Sequence, residues 1–306
     1  MTAPLAPHAP FGRALCAMVT PFTPGGALDL DGAGRLAAHL VANGCEGLVL
    51  SGTTGESPTT SDAEKAALVR AVRDAVGDRV ALVAGVGSND TRHAVELARE
   101  AEKAGADGLL TVTPYYSKPP QDAVEEHFRT VADASGLPVM LYDIPGRTGT
   151  RIEPETMLRL AEHPRVVAVK DCAYDMLGTA GVLARTDLAY YAGCDEYALP
   201  LYALGGAGCV STVANVVPGP IREILDLFDA GDTAGAARAQ LRATPLIQLM
   251  MDSGLPGAVT AKALLGALGL PAGGVRAPLR PVGQEAADGL RAAYEDLMGP
   301  GALSAR

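Results

Sequence analysis

Lysine is scarce in this 306-residue chain, and one of the five lysines stands apart. Lys65, Lys103 and Lys262 fall in helical stretches and Lys118 in a proline-rich loop. Lys170 alone closes an apolar strand, Val166-Val167-Ala168-Val169. Strand side chains alternate, so Val166, Ala168 and Lys170 are expected on one face and Val167 and Val169 on the other. The small Ala168 leaves room inside a barrel, which points the lysine face inward. A desolvated ammonium gives up its proton more readily. The neutral amine that results can attack a carbonyl and form a Schiff base. The competing reading is a strand-end lysine that reaches solvent or pairs with a carboxylate.

Other residues at strand ends carry complementary chemistry. Gly52-Thr53-Thr54-Gly55 offers backbone N–H groups and two hydroxyls, a set that suits a carboxylate or phosphate; the plain alternative is a strand-to-helix turn. Tyr115 and Tyr116 read equally as core or interface aromatics. Tyr142 near Lys170 would suit a proton relay, although a buried tyrosine with a satisfied hydroxyl is the usual case. Arg147, on a Pro-Gly-Arg turn, has the fork geometry to clamp a carboxylate, or it is a solvated surface residue. Cys172 lies two residues beyond Lys170 and can face the same cavity.

Metal and nucleotide signals are weak. The histidines at 8, 39, 93, 127 and 163 are scattered, and there is no His-Glu-x-x-His, no phosphate-loop motif and no Gly-x-Gly-x-x-Gly opening a helix. Asp29 and Asp31 are all that is present of a calcium loop. Cys16, Cys45, Cys172, Cys194 and Cys209 are odd in number and far apart, which argues for free thiols rather than a disulfide framework.

Positioning such residues on one rim requires an architecture. Short apolar runs at Ala14–Thr20, Gly47–Leu50, Val80–Gly85, Gly108–Thr113, Val139–Tyr142, Val166–Lys170, Leu188–Tyr191 and Gly208–Val213 alternate with amphipathic helical stretches. Ser61 and Glu64 fit a capping box at the start of one of them. Regular strand–helix units predict a (β/α)8 barrel over 1–231, with a doubly wound sheet as rival. From 232 to 306 only helical patterns remain, so a C-terminal helical appendage packed on the barrel is expected.

Composition narrows the partners. The formal net charge of −10 and the absence of Trp disfavour nucleic acid and anionic membrane surfaces. The uncharged stretch Tyr197–Ile221 is long enough to suggest a membrane span, but its glycines and prolines predict a helix, a turn and a strand. MTAPLAPHAPFGRA lacks a basic region ahead of an apolar run, so no signal peptide is expected. A cytoplasmic location follows as an expectation.

Taken in order, Ala17-Met18-Val19-Thr20-Pro21-Phe22, Gly52-Thr53-Thr54-Gly55-Glu56, Thr113-Pro114-Tyr115-Tyr116, Leu141 to Gly149 (LYDIPGRTG), Val169-Lys170-Asp171 and Gly205-Gly206-Ala207-Gly208 resemble the dihydrodipicolinate synthase/N-acetylneuraminate lyase family of pyruvate-dependent class I aldolases. The resemblance runs along nearly the whole chain. It implies a lyase that condenses pyruvate with aspartate semialdehyde on the diaminopimelate/lysine route, built as a homotetramer. Lys170 would form the pyruvate imine, with no metal or organic cofactor. Thr53 and Thr54 would hold the pyruvate carboxylate, Val210 would line that pocket through its backbone, and Arg147 would bind the aldehyde's carboxylate. Thr54, Tyr142 and Tyr116 would form a hydroxyl relay, Tyr116 coming from a neighbouring subunit.

The rival is a sister aldolase acting on a sugar-derived 2-keto acid. Sialate-type members tend to carry Ser-Thr at 53–54 and lack the arginine at 147. A rival of another class is a non-catalytic keto-acid-binding regulator, which the intact Lys170, Tyr142, Thr54 and Tyr116 disfavour. Two departures from the synthase pattern stand out: Gly193-Cys194-Asp195 replaces Gly-Asp-Asp, and Asp171-Cys172-Ala173-Tyr174 replaces Glu-Ala-Thr-Gly. At the interface where many members bind lysine, Ser57, Asn89 and Tyr115 match. Asp62 and Lys65 stand in place of His, however, and His93 in place of the Glu that pairs with the ligand's ammonium. Weak or absent inhibition by lysine is expected.

Overall fold

The computed structural model describes residues 8–303. Its strands are β1 (Ala14–Ala17), β2 (Gly47–Leu50), β3 (Ala81–Gly85), β4 (Gly108–Val112), β5 (Val139–Asp143), β6 (Val166–Asp171), β7 (Ala189–Ala192) and β8 (Gly208–Ser211). They pair in parallel in sequence order, and β8 closes onto β1, so the sheet is an eight-stranded barrel. The helices are α1 (Leu30–Ala42), α2 (Asp62–Val76), α3 (Thr91–Lys103), α4 (Gln121–Asp133), α5 (Pro145–Thr148), α6 (Pro154–Ala161), α7 (Met176–Leu183), α8 (Ala198–Ala203), α9 (Pro218–Asp229), α10 (Thr233–Met251), α11 (Gly257–Ala267) and α12 (Gln284–Met298). The predicted (β/α)8 barrel with a C-terminal helical appendage is therefore the observed fold; α10 packs along α9 and α12. Residues 1–7, which bear on the signal-peptide reading, lie outside the described residues.

The strands are apolar on both faces because both faces are covered. Val49, Val83, Leu110, Met140, Tyr142, Ala168, Tyr191 and Val210 fill the barrel interior. Their neighbours Leu48, Leu50, Leu109, Leu141, Tyr190 and Cys209 pack outward under the helices. Phe11 plugs the amino-terminal end: a Cβ at Gly108 would lie 2.4 Å from its ring, so glycine is needed there. With that end sealed, the carboxyl ends of the strands are the open end.

Alternation in β6 differs from the simple period in one respect. Val139 pairs with Val166 but Met140 with Ala168, so the register skips Val167 at a β-bulge. Val167 therefore packs against the interior cluster and Val166 joins the outer one. Ala168 and Lys170 keep the predicted inward face. The Pro-Gly-Arg segment, expected as a turn, is the short helix α5, with proline at its start and Gly149 in the left-handed conformation at its end (φ 72°). The capping box at Ser61 and Glu64 forms as predicted. The uncharged 197–221 stretch resolves into α8, β8 and the start of α9. Among the described residues no helix is long and apolar enough to cross a membrane.

A buried ion pair fastens the appendage to the barrel mouth. Lys262 of α11 reaches Glu56, at the end of the Gly52–Gly55 loop, with Nζ and Oε1 2.6 Å apart and the side chains 3% and 0% exposed. Lys262 also donates to the Gly274 carbonyl, and Arg276 N–H donates to Glu56 Oε2 at 2.8 Å. Lys262 Nζ and the Arg276 guanidinium each lie 4.1 Å from the Phe22 ring centre. Removing one partner strands a buried charge, which costs about 3–5 kcal/mol, whereas replacing both with neutral groups costs far less. Lys262→Met should therefore lose stability of that order in urea unfolding, and the Glu56→Gln/Lys262→Met double variant should regain most of it. Equal losses in both would show that the pair is not the fastening.

Candidate active site

Strands β5 and β6 bring the two most chemically pointed residues together. Tyr142 and Lys170 are register partners, and Lys170 Nζ lies 4.4 Å from the centre of the Tyr142 ring. Both side chains are buried. Burial holds the Lys170 amine below the ordinary lysine range and pushes the Tyr142 phenol well above its own. The lysine stem runs over Gly193 at the end of β7. A Cβ at 193 would lie 2.9 Å from Lys170 Cγ, 3.0 Å from its Cε and 2.4 Å from Cys172 Sγ. The missing side chain at 193 is thus the space the lysine occupies.

The loop after β2 faces this pair. Thr53 shares the cavity wall with Tyr142 and partly offsets the burial that raises the phenol. Thr54 is buried, with Oγ1 3.0 Å from Thr212 Oγ1 on the loop after β8. The loop is pinned from the segment after β1, where Thr20 Oγ1 donates to the Gly55 carbonyl at 2.6 Å. The Thr212 side is pinned by the buried Asp195. Its carboxylate accepts from the Ser211 hydroxyl and from the Thr212 and Val213 N–H groups at 3.2 and 3.4 Å. Burial outweighs these bonds and raises Asp195 to about 6. Asn215 donates to the Ala17 and Thr212 carbonyls, stitching β1 to the β8 loop.

These groups line a cavity of about 990 Å³ with Thr53, Thr54, Tyr142, Arg147 and Lys170 in its wall. Arg147 is exposed on α5 and takes part in none of the ion pairs found among the described residues. Tyr116 and Val210 are placed otherwise. The Tyr116 ring is 90% exposed, outside the cavity of its own chain. Val210 lies in the barrel interior beneath the cavity, with its side chain fully buried. Sequence reasoning did not find Thr212, Gly193 or the opposite wall, where Ile247, Gln248 and Met251 of α10 and Ala258 of α11 face the catalytic rim. Only Gly193 carried a signal, as a glycine closing a strand beside the lysine strand.

A second cavity of about 420 Å³ lies behind the Thr53 loop and is lined by Ser57, Asp62, Lys65, His93 and Tyr115 among others. His93 Nε2 is 2.9 Å from Asp62 Oδ2. Lys65 Nζ donates to the Ser57 carbonyl at 3.0 Å, and burial lowers its pKa. Asn89 donates to the Tyr115 carbonyl at 3.3 Å.

The fold is a (β/α)8 barrel with a buried lysine in the cavity wall at its open end, and comparison with known proteins places it in a family. The model of the dihydrodipicolinate synthetase family matches residues 10–297. A Streptomyces coelicolor protein named 4-hydroxy-tetrahydrodipicolinate synthase 1 is 77% identical over 94% of this chain and 95% of its own length. The crystal structure of DHDPS from Cyanidioschyzon merolae with lysine bound superposes with a TM-score of 0.91 at 39% identity, over 94% of this chain and 99% of the other. A structure described as the first monomeric dihydrodipicolinate synthase variant has a TM-score of 0.91 at 31% identity, covering 96% of this chain and 99% of its own. The chain belongs to the dihydrodipicolinate synthetase family. Its activity is that of a 4-hydroxy-tetrahydrodipicolinate synthase, a lyase of diaminopimelate and lysine biosynthesis.

Proposed function

We propose that Lys170 carries the reaction as a pyruvate imine, and that the second substrate is aspartate semialdehyde. One observation carries the reading: a buried lysine amine with no ion-pair partner among the described residues, 4.4 Å from a tyrosine ring, in the wall of an open cavity. The neutral amine attacks the keto carbon and water leaves. The protonated imine is an electron sink, so a proton departs from the pyruvate methyl and an enamine forms. The enamine carbon bonds to the aldehyde carbon. The amino group of the adduct then displaces Lys170 by transimination and closes the ring, which frees the lysine without an external cofactor.

Thr53 and Thr54 take the pyruvate carboxylate, Val210 contributes backbone to that pocket, and Tyr142 moves protons at the imine. Arg147, free of internal carboxylates, grips the carboxylate of the aldehyde. Tyr116, turned away from its own cavity, completes the hydroxyl relay of a neighbouring subunit in a homotetramer.

Borohydride added with pyruvate should fix an adduct on Lys170 and on no other lysine, and Lys170→Ala should abolish it with the fold intact by circular dichroism. The depressed lysine pKa sets the sign of the pH dependence. The reactive neutral amine gains population as pH rises, so trapping should climb and level off below the ordinary lysine value of 10.5. An adduct on another lysine, or one absent at every pH, would remove the mechanism.

Arg147→Ala should cost about 2–5 kcal/mol in second-substrate recognition, because a bidentate charge clamp is lost. Apparent affinity and turnover for aspartate semialdehyde should collapse while pyruvate trapping stays near normal. Unchanged condensation in this variant, or a preference of the parent for a neutral polyhydroxy aldehyde, would favour the sister-aldolase reading.

The second cavity presents His93 and Lys65 where an ammonium ligand needs an anion, and the Asp62 carboxylate in its lining is already engaged by His93 at 2.9 Å. Lysine should therefore inhibit weakly or not at all in steady-state assays; potent inhibition at micromolar lysine would contradict this.

A further inference from the structure

Two thiols stand beside the reactive lysine without a part in the mechanism above. Cys172 follows β6 and Cys194 follows β7, and both line the cavity that holds Lys170. The ladder between the strands runs past their ends: Asp171 pairs with Ala192, and Gly193 N–H donates to the Asp171 carbonyl at 2.8 Å. Cys172 is thus level with Gly193, and its Sγ fills the space above that glycine. Cys194 is one residue further on. Strands about 4.8 Å apart with a rise of about 3.3 Å place residues offset by one roughly 5.8 Å apart, within the Cα span a disulfide bridges. The two thiols are close enough to influence each other, and their interaction raises the pKa of Cys172 and lowers that of Cys194. Tyr174, whose hydroxyl donates to Glu196, is a second influence that lowers Cys194.

Another pair of neighbouring cysteines shows why the cavity matters. Cys16 and Cys45 also interact through their thiols, but they lie 0% and 4% exposed within the outer core, away from the catalytic cavity. Cys194 is only partly buried, at the edge of an open cavity.

We infer that Cys172 and Cys194 form a dithiol modification site in the wall of the catalytic cavity, oxidised by small hydroperoxides and restored by thiols. The Cys194 thiolate attacks the peroxide, the O–O bond breaks, and a sulfenic acid forms as water or an alcohol leaves. The Cys172 sulfur then attacks that sulfur, its proton leaves with the hydroxyl as water, and the S–S bond closes. Two thiols are oxidised by two electrons and one peroxide is reduced. Closing the bridge draws in Cys172 and the backbone at 193, the surface on which the Lys170 stem lies. The amine moves with it, and a displacement of about 1 Å at a reacting centre costs on the order of a hundredfold in rate.

The test is treatment of the purified full-length protein with hydrogen peroxide, followed by dithiothreitol. The chemical readouts are intact mass, thiol titration and peptide mapping; the functional readout is turnover. Expected are the loss of two hydrogens in mass, two fewer titratable thiols, a Cys172–Cys194 cross-linked peptide and a fall in turnover of about tenfold to a hundredfold. All four should reverse with dithiothreitol. Cys172→Ala and Cys194→Ser, each referred to its own untreated activity, should lose the reversible response. The activity arm rests on the Lys170 reading, whereas mass and mapping do not. Thiols that stay free, a bridge between other cysteines, or a mapped 172–194 bridge with unchanged turnover would each overturn the proposal.

Discussion

In the proposed mechanism the chemistry of this barrel depends on keeping one amine, that of Lys170, out of water with no ion-pair partner among the described residues. Two lysines are buried to nearly the same degree, Lys170 at 3% and Lys262 at 4% exposure, and they are put to opposite uses. Lys262 meets a carboxylate at 2.6 Å and a carbonyl at 2.7 Å, so attraction to Glu56 opposes the desolvation that lowers its pKa. Lys170 meets an aromatic face and two thiols, and its nearest carboxylate influence, from Asp195, is distant enough to rank below the thiols. Desolvation is then largely unopposed and the neutral amine becomes accessible. The residue type is the same; the presence or absence of a paired anion separates a fastener from the proposed nucleophile.

That environment is assembled by the barrel rather than by local sequence. A closed sheet gives each strand an interior face, and the Phe11 plug makes the carboxyl end the open one. Gly193 leaves the groove that the lysine stem fills. The loop bearing Thr53 and Thr54 is held at three points: by Thr20 from the segment after β1, by Thr212 from the β8 loop, and by the Glu56–Lys262 pair from the appendage. The last of these makes the C-terminal helices part of the catalytic wall. They cover the cavity and also fix the loop opposite the lysine.

Much of this was legible in the sequence. Continuous short apolar runs locate the strands to within a few residues because a parallel strand covered on both faces cannot tolerate polar interruptions. Lys170 was legible because charge at the end of such a run demands an explanation. Val167 was not, since a bulge arises from pairing with β5 and leaves no mark on β6 alone. Thr212 was equally hidden: an apolar strand ending in Ser-Thr looks like any other, and its hydroxyl matters only because the barrel closes β8 beside β1 and thus brings it to Thr54. The cavity wall formed by α10 and α11 depends on where the appendage folds back, which helical periodicity does not encode. Tyr116 was legible as an aromatic at a strand end, yet its outward direction is a property of the loop, where it adopts φ 74°.

The departures at 172 and 194 fit the same electrostatic logic. Where the synthase pattern to which this chain is similar has an acidic residue after the β7 glycine, this chain has Cys194, in the wall beside Lys170. An ionised carboxylate there would favour the ammonium and work against imine formation. A thiol beside Cys172 and Tyr174 places a weaker and polarisable acceptor at the same position. Asp195 keeps its carboxylate, but turned toward Ser211, Thr212 and Val213, with its oxygens engaged by one hydroxyl and two backbone N–H groups. Burial raises this acid to about 6, so its negative charge is itself costly to hold and is spent on the β8 loop rather than on the lysine. The acidic function is thus directed at positioning Thr212 and, through it, Thr54, while desolvation outweighs the weaker pull of the thiols and Asp195 on the lysine's proton.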